Sequence, residues 1–165
     1  MRYHLVKTLV REKQIFLQHL SYKCSSFTIE VEASSVYGAA ILDLLLEKLT
    51  LEEIGSMELE QLADFLREKS RNRFSDPEYV AKSIQKAARS SYRLAKCVED
   101  SSDLLLGTSI QSICSIKAQI KQLDKAIQKL LDGIPNTLQT IPGIDPVFCA
   151  GILAEIKNQG FQPNE

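Results

Sequence analysis

Glycine, proline and tryptophan are scarce in this chain: seven, five and none in 165 residues. All-β and α/β chains need turn formers at every reversal of direction, so this scarcity argues against both classes. Histidine is nearly absent too, with His4 and His19 alone, and the four cysteines, Cys24, Cys97, Cys114 and Cys149, never reach a C-x-x-C spacing. A structural zinc site needs paired ligands at close spacing, so the cysteines are expected to be reduced, packed thiols and the chain to hold no cofactor. Every apolar run breaks well before the ~20 residues that cross a bilayer, and no charged-then-apolar leader opens the chain. A cytoplasmic protein with no membrane partner is the expectation. Walker, H-E-x-x-H and G-x-S-x-G patterns are also missing, and no nucleophile has a recognisable base. What is present instead is Leu, Ile, Ala, Lys, Glu and Gln, and the 44% hydrophobic content suffices for a core. The class read from this is all-α.

The formal net charge of -1 conceals a segregation. Met1 to Phe27 has five basic residues and one acidic, Thr28 to Glu68 two and ten, Lys69 to Lys96 eight and two, and Cys97 to Glu165 five and eight. The third block is the informative one, because positive charge gathered between acidic neighbours suits a polyanion. It opens with a basic loop carrying Lys69, Arg71 and Arg73. Asp76 and Pro77 then start a helix over 77–93, with aspartate as cap and proline at the first helical position. Val80, Ile84, Ala87 and Ser91 give that helix a narrow apolar face, while Lys82, Lys86, Arg89 and Arg93 line up on another. Together with the loop, such a face would displace condensed counterions from nucleic acid; the plainer alternative is a solvated surface.

Upstream, Leu5, Leu9, Phe16, Leu20 and Phe27 recur at helical spacing from Tyr3 to about Phe27. This helix starts without a cap, which suggests truncation of something larger. A step at Ser34 and Ser35 leads to a second helix with Ile41, Leu42, Leu45 and Leu49 on one face. Thr50 and Glu53 have the spacing of a capping box for a short helix over Leu51–Gly55. A further helix from about Met57 to Lys69 should bury Leu59, Leu62, Phe65 and Leu66. Residues 1–96 thus read as a small bundle that includes the basic helix.

From about Val98 to Asp132 a heptad pattern is sustained, with Leu106, Ile113, Ile120 and Ile127 at a and Ser102, Ser109, Ile116, Leu123 and Leu130 at d. A long coiled-coil helix over 97–132 is expected, pairing with a second copy through Leu106, Ile113, Ile116, Ile120, Leu123, Ile127 and Leu130. Within it Glu99 and Asp103 stand at i and i+4, a spacing that could hold a divalent metal but more commonly gives two solvated carboxylates. Gly133 supplies a stop. Over 133–165, Pro142, Gly143 and Ile144 form a tight turn before an apolar helix over Val147–Ile156, with Asp145 as cap. The turn is like the hairpin of helix-hairpin-helix modules, whose backbone N–H groups donate to a phosphate oxygen. Asp145 stands where such hairpins usually have a second glycine, and its charge opposes a phosphate, so a purely structural turn is an equal alternative.

Several of these segments, in this order, resemble the DEDD insertion-sequence transposases: Arg11-Glu12-Lys13; Leu51-Glu52-Glu53-Ile54 with Leu62-Ala63-Asp64-Phe65; Arg73-Phe74-Ser75-Asp76-Pro77; Ala81 through Arg89 with Ser91-Tyr92-Arg93-Leu94; and Ile141-Pro142-Gly143-Ile144 with Ala154-Glu155-Ile156. The resemblance implies a DNA recombinase with an N-terminal ribonuclease-H-like domain holding an acidic tetrad for a divalent metal such as magnesium. It also implies a helical, coiled-coil connector and a C-terminal domain with a nucleophilic serine. DNA would be the partner, with a structured guide RNA in some members. This chain resembles the connector and the opening hairpin of the last domain, so no catalytic residue carries over and the chain alone is expected to be inactive. A DNA-binding, self-pairing transposase fragment is the functional expectation. Its rivals are a helical scaffold that binds a protein partner and never touches nucleic acid, and a stand-alone regulator that poisons assembly of an intact enzyme.

Overall fold

The computed structural model describes residues 1–31, 36–47, 50–71 and 74–158, with the backbone alone at 97, 157 and 158. Among them every regular element is helical: α1 (Arg2–Lys23), α2 (Phe27–Glu30), α3 (Ala39–Leu46), α4 (Leu51–Ser56), α5 (Leu59–Ser70), α6 (Pro77–Ser90), α7 (Lys96–Leu131), a 3-10 turn (Leu138–Thr140) and α8 (Pro146–Asn158). The all-α expectation holds. Ser34, Ser35 and Leu49 lie outside the described residues. The chain divides into two compact units, Leu9–Cys114 and a smaller one that joins Met1–Thr8 to the chain from Ser115 onward.

The larger unit is organised around α3 and α6. α3 reads AAILDLLL, apolar on nearly every side, and a helix of that kind is stable only when surrounded. Ala40, Ile41, Leu42, Leu44 and Leu45 are accordingly buried. α5 packs on α3 through the stripe Leu62, Ala63 and Leu66, and α6 packs against α2, α4 and α5. That helix can touch three neighbours because its inner face is mostly alanine: Ala81, Ala87 and Ala88 are closed off from water beside Ile84. Small side chains let helix axes approach closely. α1 adds Phe16 and Leu20, and the Phe16 ring lies 5.8 Å from that of Tyr37. Each large apolar side chain so buried contributes roughly 2 kcal/mol, so this interior outweighs the surface ion pairs described below.

α7 is continuous over 36 residues. In the larger unit its inner stripe is Ser102, Leu106, Ser109, Ile110 and Ile113, all buried. This corrects the expected seam between two chains: Leu106 and Ile113 serve this chain's own interior and are not available to a second copy. The intramolecular partner includes α1, whose last turn is tied to α7 by Lys23 Nζ, 2.7 Å from Asp103 Oδ1, with the lysine side chain only 2% exposed.

In the smaller unit the rest of the seam is wetter. Ile116, Ile120, Leu123 and Ile127 are half-buried, Leu130 is 70% exposed and Leu131 is buried. Arg2, in the first turn of α1, pairs with Asp124 of α7. After Gly133 the chain forms the 3-10 turn, against which α8 packs, and Cys149 is fully buried there.

Candidate nucleic-acid interface

The basic helix starts as its sequence dictates. Asp76 Oδ1 accepts from the Tyr79 amide at 2.9 Å, and Pro77 occupies the first turn, where its missing N–H costs nothing. Lys82, Lys86 and Arg89 are exposed and, with Gln85 and Ser90, line one shallow groove of about 360 Å³. Three of the expected cations are therefore brought together.

Two of those three have partners within the fold. Lys86 Nζ lies 2.8 Å from Glu30 Oε2, although the lysine side chain is 70% exposed. Arg89 donates Nε and Nη2 to the Gly55 carbonyl at 2.9 and 2.7 Å, and Gln85 Nε2 donates to the Met57 carbonyl at 2.7 Å. Carbonyls at the end of a helix have no partner within it, so α6 caps the C-terminal end of α4. Lys82 has no carboxylate within reach among the described residues.

Arg93 does not join the row. The expected helix over 77–93 ends at Ser90, and Ser91 is already extended, with φ -80° and ψ 149°. Ser90 Oγ donates to the Lys86 carbonyl at 2.8 Å and Ser91 Oγ to that of Ala87 at 2.7 Å, so hydroxyls take carbonyls of the last turn. Ser91 Oγ also accepts from the Ser26 amide at 3.1 Å, and Ser25 Oγ accepts from the Tyr92 amide at 3.4 Å. These bonds hold the chain on the α1–α2 turn instead of letting it coil on. Arg93 is left 4.0 Å from Glu52 and donates to the Ala88 carbonyl at 3.4 Å.

Lys69 and Arg71 are not among the residues lining the groove. Lys69 is exposed, with Nζ 5.5 Å from the centre of the Phe65 ring. Arg71 ends α5 in the left-handed region at φ 54°, exposed to solvent. Arg73 lies outside the described residues.

Pro142 and Gly143 form the tight turn read from the sequence: the Ile144 amide donates to the Ile141 carbonyl at 3.2 Å, and Gly143 has φ 90°, which only glycine adopts without strain. Asp145 Oδ1 accepts from the Phe148 amide at 2.7 Å, and the Asp145 carbonyl from that of Cys149 at 2.9 Å. An amide at the start of α8 that could face a phosphate is thus taken by the chain's own carboxylate, which favours the structural alternative for Pro142, Gly143 and Ile144.

Of the i, i+4 pair Glu99 and Asp103, the second is already engaged: Asp103 Oδ1 lies 2.7 Å from Lys23 Nζ. Among the described residues no three His, Cys, Asp or Glu side chains converge on one point. Burial pushes the Cys24 thiol above its ordinary range; Cys149 is buried and Cys114 exposed, and all three are free. No described helix is long and apolar enough to cross a membrane.

Sequence reasoning missed Lys23 and Gln85. For Lys23 the signal was present: Phe16, Leu20 and Lys23 continue one stripe at spacings of four and three, so the lysine had to enter the interior with a counter-charge. Gln85, between Ile84 and Lys86 on α6, gave no comparable warning. No protein family, curated protein or solved structure matches this chain.

Proposed function

We propose that this chain is a nucleic-acid-binding and chain-pairing helical module of a cytoplasmic transposase, serving DNA transposition as the connector of a recombinase like those its motifs resemble. The observation that carries this reading is the convergence of Lys82, Lys86 and Arg89 on one exposed groove, where among the described residues Glu30 is the one carboxylate in ion-pairing distance. An exposed ion pair such as Lys86–Glu30 contributes roughly 0–1 kcal/mol, so a phosphate can displace the carboxylate at little cost. Arg89, committed to Gly55, lends its charge and stays in place. Chain pairing falls to the wetter part of the seam, Ile116, Ile120, Leu123, Ile127 and Leu130.

The test is the salt dependence of binding to a labelled duplex, for the chain as it is and with Lys82→Ala and Lys86→Ala together. Each lost phosphate contact should lower the slope of log affinity against log salt by about 0.9. An unchanged slope and affinity would refute the groove. Strand cutting on this reading belongs to the acidic tetrad and the serine of the other domains, so cleavage by the purified chain would overturn it.

The rival reading, a protein-binding scaffold, is favoured by one observation: Lys86, Arg89 and Arg93 each engage a group of the fold. A chain that shifts no duplex even at low salt would decide for it.

A further inference from the structure

The second half of α7 gathers positive charge. From Ser115 to Leu131 the sequence holds four lysines, Lys117, Lys121, Lys125 and Lys129, against one acid, Asp124, which is taken up by Arg2. Lys121, Lys125 and Lys129 are exposed, and among the described residues no carboxylate comes within ion-pairing distance of them. The nearby Asp132 carboxylate accepts from Gln128 at 2.8 Å. In the heptad that places Ile120 and Ile127 at a, these lysines fall at b, f and c, the positions that face away from the seam. Steps of four residues turn each ammonium only about 40° from the last and advance it about 6 Å along the axis, which makes one ridge.

Helix surfaces ordinarily alternate charge at i and i+4, because opposite pairs stabilise and like pairs destabilise. This ridge has like charges at every such step, at a cost to the helix that no ion pair among the described residues offsets. A polyanion would relieve it. Lysine is a compact point charge with no fork for reading base edges, so the chemistry that fits is a phosphate backbone, independent of sequence. A duplex presents a charge about every 1.7 Å of its axis, more than enough for three ammonium groups over about 12 Å.

We infer that Lys121, Lys125 and Lys129 form a second contact for a nucleic-acid backbone, separate from the groove on α6. The inference shares with the proposed function the premise that the chain meets nucleic acid, and the two surfaces are separable by mutation. The full chain, its Lys121→Gln/Lys125→Gln/Lys129→Gln variant and its Lys82→Ala/Lys86→Ala variant are titrated with labelled DNA and RNA duplexes of one sequence over a range of salt. The triple variant should bind at least roughly tenfold more weakly at about 50 mM salt, with the slope reduced by about 0.9 per lysine. Its helical circular dichroism should be unchanged and its Tm no lower, since repulsion has been removed. Loss with one duplex and not the other identifies the polymer.

If the triple variant keeps the parent's slope and affinity, the ridge is refuted while the α6 groove stands on its own variant. If the triple variant loses affinity and the α6 variant does not, the ridge stands and the groove falls. Polyglutamate binding as tightly as either duplex would overturn the assignment to nucleic acid in favour of an acidic protein. Failure of the parent chain to bind either duplex would end both.

Discussion

Lys23 shows how a single charge is accommodated in a helical interior. Its side chain is 2% exposed, and Asp103, its partner at 2.7 Å, is 25% exposed, so the two ends of the pair stand in different surroundings. Desolvating an ion pair can cost as much as the attraction returns, but removing one partner from a buried pair leaves the other uncompensated. The loss should therefore be asymmetric. Asp103→Asn strands an ammonium group that cannot reach water and should cost about 3 kcal/mol. Lys23→Met leaves a carboxylate that can turn toward solvent, and should cost about 1 kcal/mol, nearer the range of surface pairs. Replacing both, Lys23→Met with Asp103→Leu, should recover most of the loss. Urea unfolding midpoints read all three, and a lysine variant less stable than the aspartate variant would show that Asp103 is the more deeply committed of the two.

Among elements, α4 is the one most dependent on its ends, for six residues cannot sustain a helix alone. Its start is a complete capping box: the Thr50 amide donates to Glu53 Oε2 at 2.7 Å and the Glu53 amide to Thr50 Oγ1 at 3.2 Å. Thr50→Ala should cost about 1 kcal/mol. The Thr50 amide, and after it the Thr50 hydroxyl, hold the Glu53 carboxyl below its ordinary value. A depressed folded value means a contribution present above the unfolded carboxylate value and lost as pH falls through the folded one. Glu53→Gln keeps the cap without the titration, so the Tm difference between parent and variant should shrink from about pH 7 to about pH 2. A difference that stays constant across that range would deny the carboxylate its role. This box was legible beforehand, as were the Asp76–Pro77 start and the Pro142–Gly143 turn, because each is written within a few adjacent residues. The other end of α4 was not. Arg89 and Gln85 reach it from 34 and 28 residues away, so a sequence row of cations could not reveal that one of them is a cap. The same limit hid the end of α6, where helix formers continue past Ser90 and bonds to Ser25 and Ser26 break the run.

At the scale of the whole chain, the heptad pattern of α7 marks an apolar stripe, but sequence periodicity cannot say whose side chains cover it. In the larger unit the chain provides its own, and Leu106, Ile110 and Ile113 are within 1% of complete burial. The smaller unit is different: among its described residues only Leu131 and Cys149 are buried, while Ile116, Ile120, Leu123 and Ile127 remain partly wet. A unit with so little interior is marginal by itself, and a second chain laid along the same stripe would stabilise it by mass action. Amide exchange should therefore slow with rising protein concentration in Ser115–Leu131, and stay constant in α5 and α6, whose protection comes from within the chain. Leu130→Lys adds a charge at a side chain 70% exposed, so it should abolish the concentration dependence without lowering the protection of the larger unit. Sedimentation of both proteins over the same range supplies the mass that the exchange data imply. Exchange in Ser115–Leu131 that ignores concentration, with the parent chain sedimenting as a monomer throughout, would leave the wet stripe without a second copy and remove chain pairing from the proposed function.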